Sequence, residues 1–263
     1  MYRSRPALLI AAAAATAALA AGCASAGTSP SPDGSPPSSA VSYPSTSATS
    51  VTATSVSVAP STAGFEPGAR RLTGSADNGS TWDVTVPQVT GGTTRTRQAF
   101  NQAMDRAANG ITARARADRR TTVSDGELTP REVSRTVVAK TTLSGVLITL
   151  GATDGAAYPS HSVETTVLDP GKNQALTLDS LFTDPGAARR QLLVLAAAAD
   201  TSGRLAQTES APDALRAWIA LDEGLHLYVP VIHALGDYVP VTIPWPRLAG
   251  LLNPAGQVLF SSP

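Results

Sequence analysis

Residues 80–120 read STWDVTVPQVTGGTTRTRQAFNQAMDRAANGITARARADRR, and the period of their apolar residues changes midway. Trp82, Val84 and Val86 alternate with polar neighbours, the two-residue repeat of a half-buried strand, which Pro87 and then Gly91-Gly92 are expected to stop. From Thr94 to about Arg120 the spacing becomes helical. Phe100, Met104, Ala107, Ala108 and Ile111 fall on one face with Arg and Asp opposite, and Thr93 or Thr94 stands where an N-cap belongs. A strand with one apolar face followed by a helix with one apolar stripe predicts a helix packed on a sheet.

The chain downstream supplies the rest of that sheet. The runs REVSRTVVAKTTLSGVLITLGA (131–152) and HSVETTVLD (161–169) are rich in β-branched residues and read as consecutive antiparallel strands, one face covered by the helix. Asp169-Pro170-Gly171-Lys172 has the chemistry of a tight turn. Asp184-Pro185 opens a second helix carrying Leu192, Leu193 and Leu195 and ending near Ser202-Gly203. Residues 214–245 then give two or three strands with turns at Asp222-Glu223-Gly224 and Gly236-Asp237, and PRLAGLLNP (246–254) reads as a short closing helix. The fold class is α+β: a bent antiparallel sheet, two main helices and a short C-terminal helix.

The 263 residues carry no net charge, which removes the bulk attraction to nucleic acid of a strongly basic chain. Charge is segregated all the same. Arg95, Arg97, Arg106, Arg114, Arg116, Arg119, Arg120, Arg131 and Arg135 precede Lys140, whereas Asp and Glu dominate after Gly151. Arg3 and Arg5 followed by the apolar Ala7–Ala21 read as a secretion signal, too short to favour a spanning helix. Its end, LAAGC (19–23), resembles the bacterial lipobox, in which the cysteine receives a diacylglycerol and becomes the first mature residue. On that reading residues 1–22 are a lipoprotein signal peptide and Cys23, the single cysteine of the chain, is the lipid attachment site. The protein is then expected on the extracytoplasmic face of the cell membrane, anchored rather than spanning. Residues 24–64 are dominated by Ser, Thr, Pro, Ala and Gly and read as a disordered tether, so that the domains are 1–22, 23–64 and the folded 65–263.

Three phrases in order also resemble a family. WDVTVPQVTGGTTRTRQAFNQAM (82–104) is similar to a strand ending in P-x-V-x-G before a helix carrying Asn, here Pro87, Val89, Gly91 and Asn101. YPSHSVETTVLDPGKNQALTLDSLF (158–182) matches a second phrase through Gly171, Lys172, Leu176, Thr177, Leu178, Asp179, Leu181 and Phe182. Residues 218–252 match the third through Gly224, Leu225, Tyr228, Gly236, Val241, Ile243, Pro244 and Leu248. The family is that of the RsiV ectodomain, the lysozyme-sensing part of a bacterial anti-sigma factor, shared with secreted mycobacterial immunogenic proteins and with a module of some peptidoglycan deacetylases. The resemblance implies an α+β extracytoplasmic domain. Met1–Arg5 is too short for a sigma-binding segment and no deacetylase phrase follows, so a binding lipoprotein is expected rather than either of those two designs.

The chemistry-bearing residues agree with a binding role. The three histidines, His161, His226 and His233, are not spaced as metal ligands, and there is no H-E-x-x-H, G-x-S-x-G or phosphate-cradling loop, so neither a cofactor nor a metal is expected. Trp82, Trp218 and Trp245 read as packing residues. The expected partner is a protein or cell-wall polymer, with a cationic protein such as lysozyme suggested by the acidic C-terminal half. Tyr158, His161 and Tyr238, beside strand ends, are the candidate interaction residues. An envelope hydrolase, in which one histidine would approach Ser and Asp, and a purely structural envelope antigen are the alternatives.

Overall fold

The computed structural model describes residues 61–117, 119–207 and 210–260; Cys23, the signal segment and nearly all of the tether lie outside them. The fold is α+β, as the alternation of periods predicts. Strand β1 (Phe65–Ser75) pairs antiparallel with β2 (Thr81–Gly91) along its whole length, and helix α1 (Thr94–Ala117) crosses to β3 (Thr121–Asp125), which lies parallel to the start of β2. The hairpin β4 (Glu127–Thr129) and β5 (Glu132–Val133) stands apart from this sheet. β6 (Arg135–Val138), β7 (Leu143–Thr153), β8 (Ser160–Asp169) and β9 (Gln174–Ala175) complete a seven-stranded sheet in which β3 and β6 pair with successive parts of β7. After helix α2 (Pro185–Ala199), a separate three-stranded meander forms from β10 (Trp218–Ala220), β11 (Gly224–Pro230) and β12 (Tyr238–Pro244). Helix α3 (Pro254–Phe260) closes the described chain.

Local chemistry explains the boundaries. Thr93 accepts from the Thr96 amide ahead of α1, and Asp184 accepts from the Ala187 amide with Pro185 at the first position of α2. On α1, Phe100, Met104, Ala108 and Ile111 are buried against Trp82, Val84, Val86, Leu143 and Leu147, and complete burial of Phe100 and Met104 contributes about 1.5–3 kcal/mol each. Leu143, Gly145 and Leu147 of β7 share the face beneath α1; a Cβ at Gly145 would lie 2.6 Å from Met104 Sδ, so glycine here lets the helix approach.

Four readings of the sequence are corrected. The sheet is not covered on one face alone: Val146, Ile148 and Val163 on the other face pack against Ile219 and Tyr228 of the meander, whose opposite face (Leu225, Leu227, Val241, Ile243) packs on Leu192 and Leu195 of α2. The central strands β7 and β11 are therefore buried on both sides, and in place of one sheet the strands outside the β4–β5 hairpin divide between the seven-stranded sheet and the meander. Pro87 does not end β2. The amides of Thr85 and Val89 are taken by the side chains of Asp125 and Asn101, so the outward edge at this parity has no backbone partner and a missing N–H costs nothing there. β1 was not anticipated, because its residues are mostly exposed and do not alternate. The closing helix lies beyond residues 246–252, which form a short 3-10 turn and further turns; Asn253 caps the Gly256 amide and Pro254 sets the first helical position.

Candidate functional site

The β7–β8 turn and the β11–β12 loop meet at one carboxylate. Asp237, with φ of 66°, follows the left-handed Gly236 and carries its side chain back onto β8. Its Oδ2 accepts the His161 backbone amide at 2.8 Å and lies 3.2 Å from the same residue's Nδ1, while Oδ1 lies 2.8 Å from His233 Nδ1. Burial pushes the Asp237 carboxyl up, but the His161 amide and the two imidazoles outweigh it and hold it below the usual carboxylate range. Tyr158 stacks on the His233 ring with centroids 5.6 Å apart. The next residue, Tyr238, presents its phenol to the Val163 backbone, and burial raises its pKa.

This arrangement has a structural logic of its own. On β8 the odd-numbered residues direct their backbone groups away from β7, and along residues 161–165 no described strand pairs with them. Asp237 takes the His161 amide, Tyr238 lies at that of Val163, and Thr165 Oγ1 accepts from the Trp218 amide, so side chains and a crossing strand close the edge. Of the expected interaction residues, Tyr158, His161 and Tyr238 are thus brought to one place, but His161 and Tyr238 are mainly buried in edge closure. Tyr158 remains 68% exposed. Sequence reasoning missed Asp237 as the joint, and missed Ile232 and His233 as neighbours; the His233-x-x-x-Asp237 spacing inside a Gly-Asp turn was the available signal.

A second polar cluster is buried between the β4–β5 hairpin and the meander. Glu132 Oε2 accepts from Arg135 Nη1 at 2.8 Å and from the Tyr228 hydroxyl at 3.0 Å. His226 Nδ1 lies 2.8 Å from Thr242 Oγ1; its Nε2 lies 3.4 Å from Glu132 Oε1 without the alignment of a hydrogen bond. Burial pushes Glu132 up, yet His226 and Arg135 beside it outweigh burial and bring it down to about 2. Because the His226 contact is misaligned, Arg135 is the firmer partner. Burial first, and then the Glu132 charge, push the Tyr228 phenol far up.

Among the described residues no group of three or more His, Cys, Asp or Glu is arranged to hold a metal ion, and no helix is long and apolar enough to cross a membrane. The three tryptophans are buried, as their reading as packing residues requires. The acidic residues of the C-terminal half do not form one free face. Asp169, Asp184 and Asp200 cap backbone amides, Asp222 accepts from the Lys140 amide, Glu164 pairs with Arg114 and Asp179 with Arg189.

Neither a protein-family model nor a curated protein matches the chain. Among solved structures it is similar to a DUF3298 family protein from Pseudomonas aeruginosa, with a TM-score of 0.46 and 13% identity over 74% of this chain and 95% of that one. It is also similar to a member of the DUF3298 family from Bacteroides fragilis, with a TM-score of 0.53 and 13% identity over 77% of this chain and 100% of that one. At this identity the likeness concerns architecture, and the chain has the fold of that DUF3298 family member.

Proposed function

We propose that the protein is a non-catalytic lipoprotein, anchored through Cys23 on the outer face of the membrane, whose RsiV-like domain binds a protein or cell-wall partner. The observation that carries the binding role is the placing of exposed apolar side chains. Five large hydrophobic residues are exposed among those described, and two of them, Tyr158 at 68% and Ile232 at 60%, flank His233 on loops joined by Asp237. An aromatic contact already held in place loses little rotamer entropy on binding. Asp154, Asp213 and Glu223 supply acidic groups without a side-chain partner among the described residues, and they support a cationic protein such as lysozyme as the first partner to test.

The test titrates the full chain with lysozyme and with purified peptidoglycan sacculi at low and high salt. Saturable binding to either, weakened by Tyr158→Ala, supports the reading; absence of binding to both overturns it. Anchoring is tested separately by Cys23→Ser, which should abolish incorporation of a labelled fatty acid and release the protein from the membrane.

One observation favours an envelope hydrolase as the second reading. Thr242, His226 and Glu132 stand in the order hydroxyl, imidazole, carboxylate. The reading is the weaker because His226 is 5% exposed and Glu132 is engaged by Arg135 and Tyr228. Ester hydrolysis by the full chain that disappears in His226→Gln would favour it.

A further inference from the structure

The face of the main sheet beneath α1 changes character along its length. Under Phe100 and Met104 it is apolar, through Leu143 and Leu147; towards the last turns of α1 the same face continues as Thr149, Gly151 and Thr153 on β7, beside Ser160 and Ser162 on β8. Thr149 pairs directly with Ser162, and Gly151 with Ser160. The helix does not close down on this part, which leaves a cleft of about 250 Å³ walled by Ile111 and Ala115, with Arg114 and Tyr158 also lining it. A sheet position facing a helix is ordinarily filled by an apolar side chain. Hydroxyls and a glycine there make a polar recess instead.

Two of the hydroxyls that line this cleft are engaged, Thr121 and Thr153 lying 2.9 Å apart with Thr121 also donating to the Arg119 carbonyl, and the others are uncommitted. The hydroxyls of Thr149, Ser160 and Ser162 bond to no other described residue, and Arg114 spends one nitrogen on Glu164 at 2.9 Å, an ion pair exposed on both sides. The larger cleft of about 440 Å³ beside α2 differs in this respect. Its Arg189 already donates to Asp179 and to the carbonyls of Pro212 and Leu215, and its Thr165 hydroxyl accepts from Trp218.

We infer that the cleft between the end of α1 and strands β7–β8 binds a single N-acetylated sugar residue that carries a carboxylate. The volume lies below the range of about 300–1,000 Å³ usual for drug-sized ligands, which suits one ring. Free hydroxyls on two adjacent strands match the donors and acceptors of a sugar. Ile111 and Ala115 offer an apolar wall to an acetyl methyl, the guanidinium of Arg114 pairs with the carboxylate, and the exposed ring of Tyr158 covers the C–H face. This deepens the reading of the protein as an envelope binder by naming the chemistry of its partner.

The experiment titrates the full chain with N-acetylmuramic acid and with N-acetylglucosamine, following amide and Tyr158 ring signals by NMR. Shifts at Thr149, Ser162 and Tyr158, and affinity for the acid about tenfold above the neutral sugar, are expected. Arg114→Gln should remove that preference while the fold, checked by its thermal midpoint, stays intact, and Ser162→Ala should weaken both sugars. No saturable shift with either sugar, or binding untouched by both substitutions, overturns the cleft assignment. Should sugar binding fail while Tyr158→Ala still weakens capture by lysozyme or sacculi, the cleft assignment alone falls and the binding role stands.

Discussion

Asn101 lays its side-chain amide against the backbone of Val89 as a neighbouring strand would, accepting the Val89 amide at 2.8 Å and donating to the Val89 carbonyl at 3.1 Å. The pair joins α1 to the outward edge of β2 two residues beyond Pro87. It gives physical meaning to a phrase of the sequence that otherwise reads as pattern. Truncation to Ala leaves both backbone groups without these partners and should cost about 1–3 kcal/mol. Asn101→Asp keeps the acceptor and loses the donor, and so should fall between Ala and wild type. Denaturant unfolding at neutral pH measures the order.

Other residues of those phrases play similar parts. Gly171 and Lys172 donate backbone amides to Asp169, Thr177 and Ser180 form a reciprocal cap, Leu178, Leu181 and Phe182 are buried, and Gly236 takes φ of 97°. These phrases are therefore legible as fold because they record turns, caps and core contacts, each of which is local. What escaped was non-local. β1 (65–75) carries Arg70 and Arg71 and two glycines, the composition of a guarded edge, and its strand character comes from pairing with β2. The second buried face of β7 depends on a meander some seventy residues away. The strand-end rule names Tyr158, His161 and Tyr238, which the fold gathers about Asp237, whereas Asp237 itself reads as a turn residue because its role depends on the loop folding back onto β8.

Gly91 is one position where the backbone admits no side chain. It has φ of 69°, and a Cβ there would collide with the Gly64 carbonyl, to which the neighbouring Gly92 donates its amide at 2.7 Å. Left-handed strain alone costs roughly 1–2 kcal/mol, and a backbone clash cannot be relieved by a rotamer change. Gly91→Ala should therefore lower stability by more than Gly68→Ala, whose Cβ would meet the flexible Thr90 methyl at 3.1 Å. Paired thermal melts compare them.

Glu132 should make the fold acid-sensitive in a defined window. Its folded-state pKa of about 2 lies below the unfolded value of about 4.3, so its contribution is fully present above about pH 4.3 and is lost as pH falls towards 2. The difference corresponds to roughly 2–3 kcal/mol. Glu132→Gln removes the titration and flattens this part of the stability profile, at the expense of stability at neutral pH, where Arg135 loses its charged partner. Tyr228→Phe leaves the Arg135 pair in place and should cost about 0.5–1.5 kcal/mol. Unfolding curves across the acid limb would show a slope unchanged in Glu132→Gln if another carboxylate were responsible.

Asp237 combines two demands that substitution can separate. Its left-handed φ favours Gly or Asn, and its carboxylate holds the His161 amide and the His233 ring. Asn keeps an acceptor and tolerates the backbone, Gly tolerates the backbone alone, and Ala satisfies neither. The expected order of stability is Asp, Asn, Gly, Ala, with Ala about 1–3 kcal/mol below wild type by loss of the buried acceptor. Hydrogen exchange at the His161 amide should rise in the same order.

Tyr158 and Ile232 should show the opposite profile from these structural positions. Both are more than half exposed, neither fills a core cluster, and the Tyr158 hydroxyl bonds to no described residue. Tyr158→Ala and Ile232→Ser are therefore expected to change unfolding free energy by no more than about 0.5 kcal/mol, the usual range for surface substitutions. If the loop pair is where a partner docks, the same two changes should weaken binding to lysozyme or sacculi at least about tenfold, as truncation of an aromatic anchor does. Val194→Ser and Val258→Ser, exposed apolar residues on α2 and α3, are the controls and should leave binding unchanged. Equal loss of binding in all four variants would mean that apolar exposure in general, and not this pair of loops, governs capture.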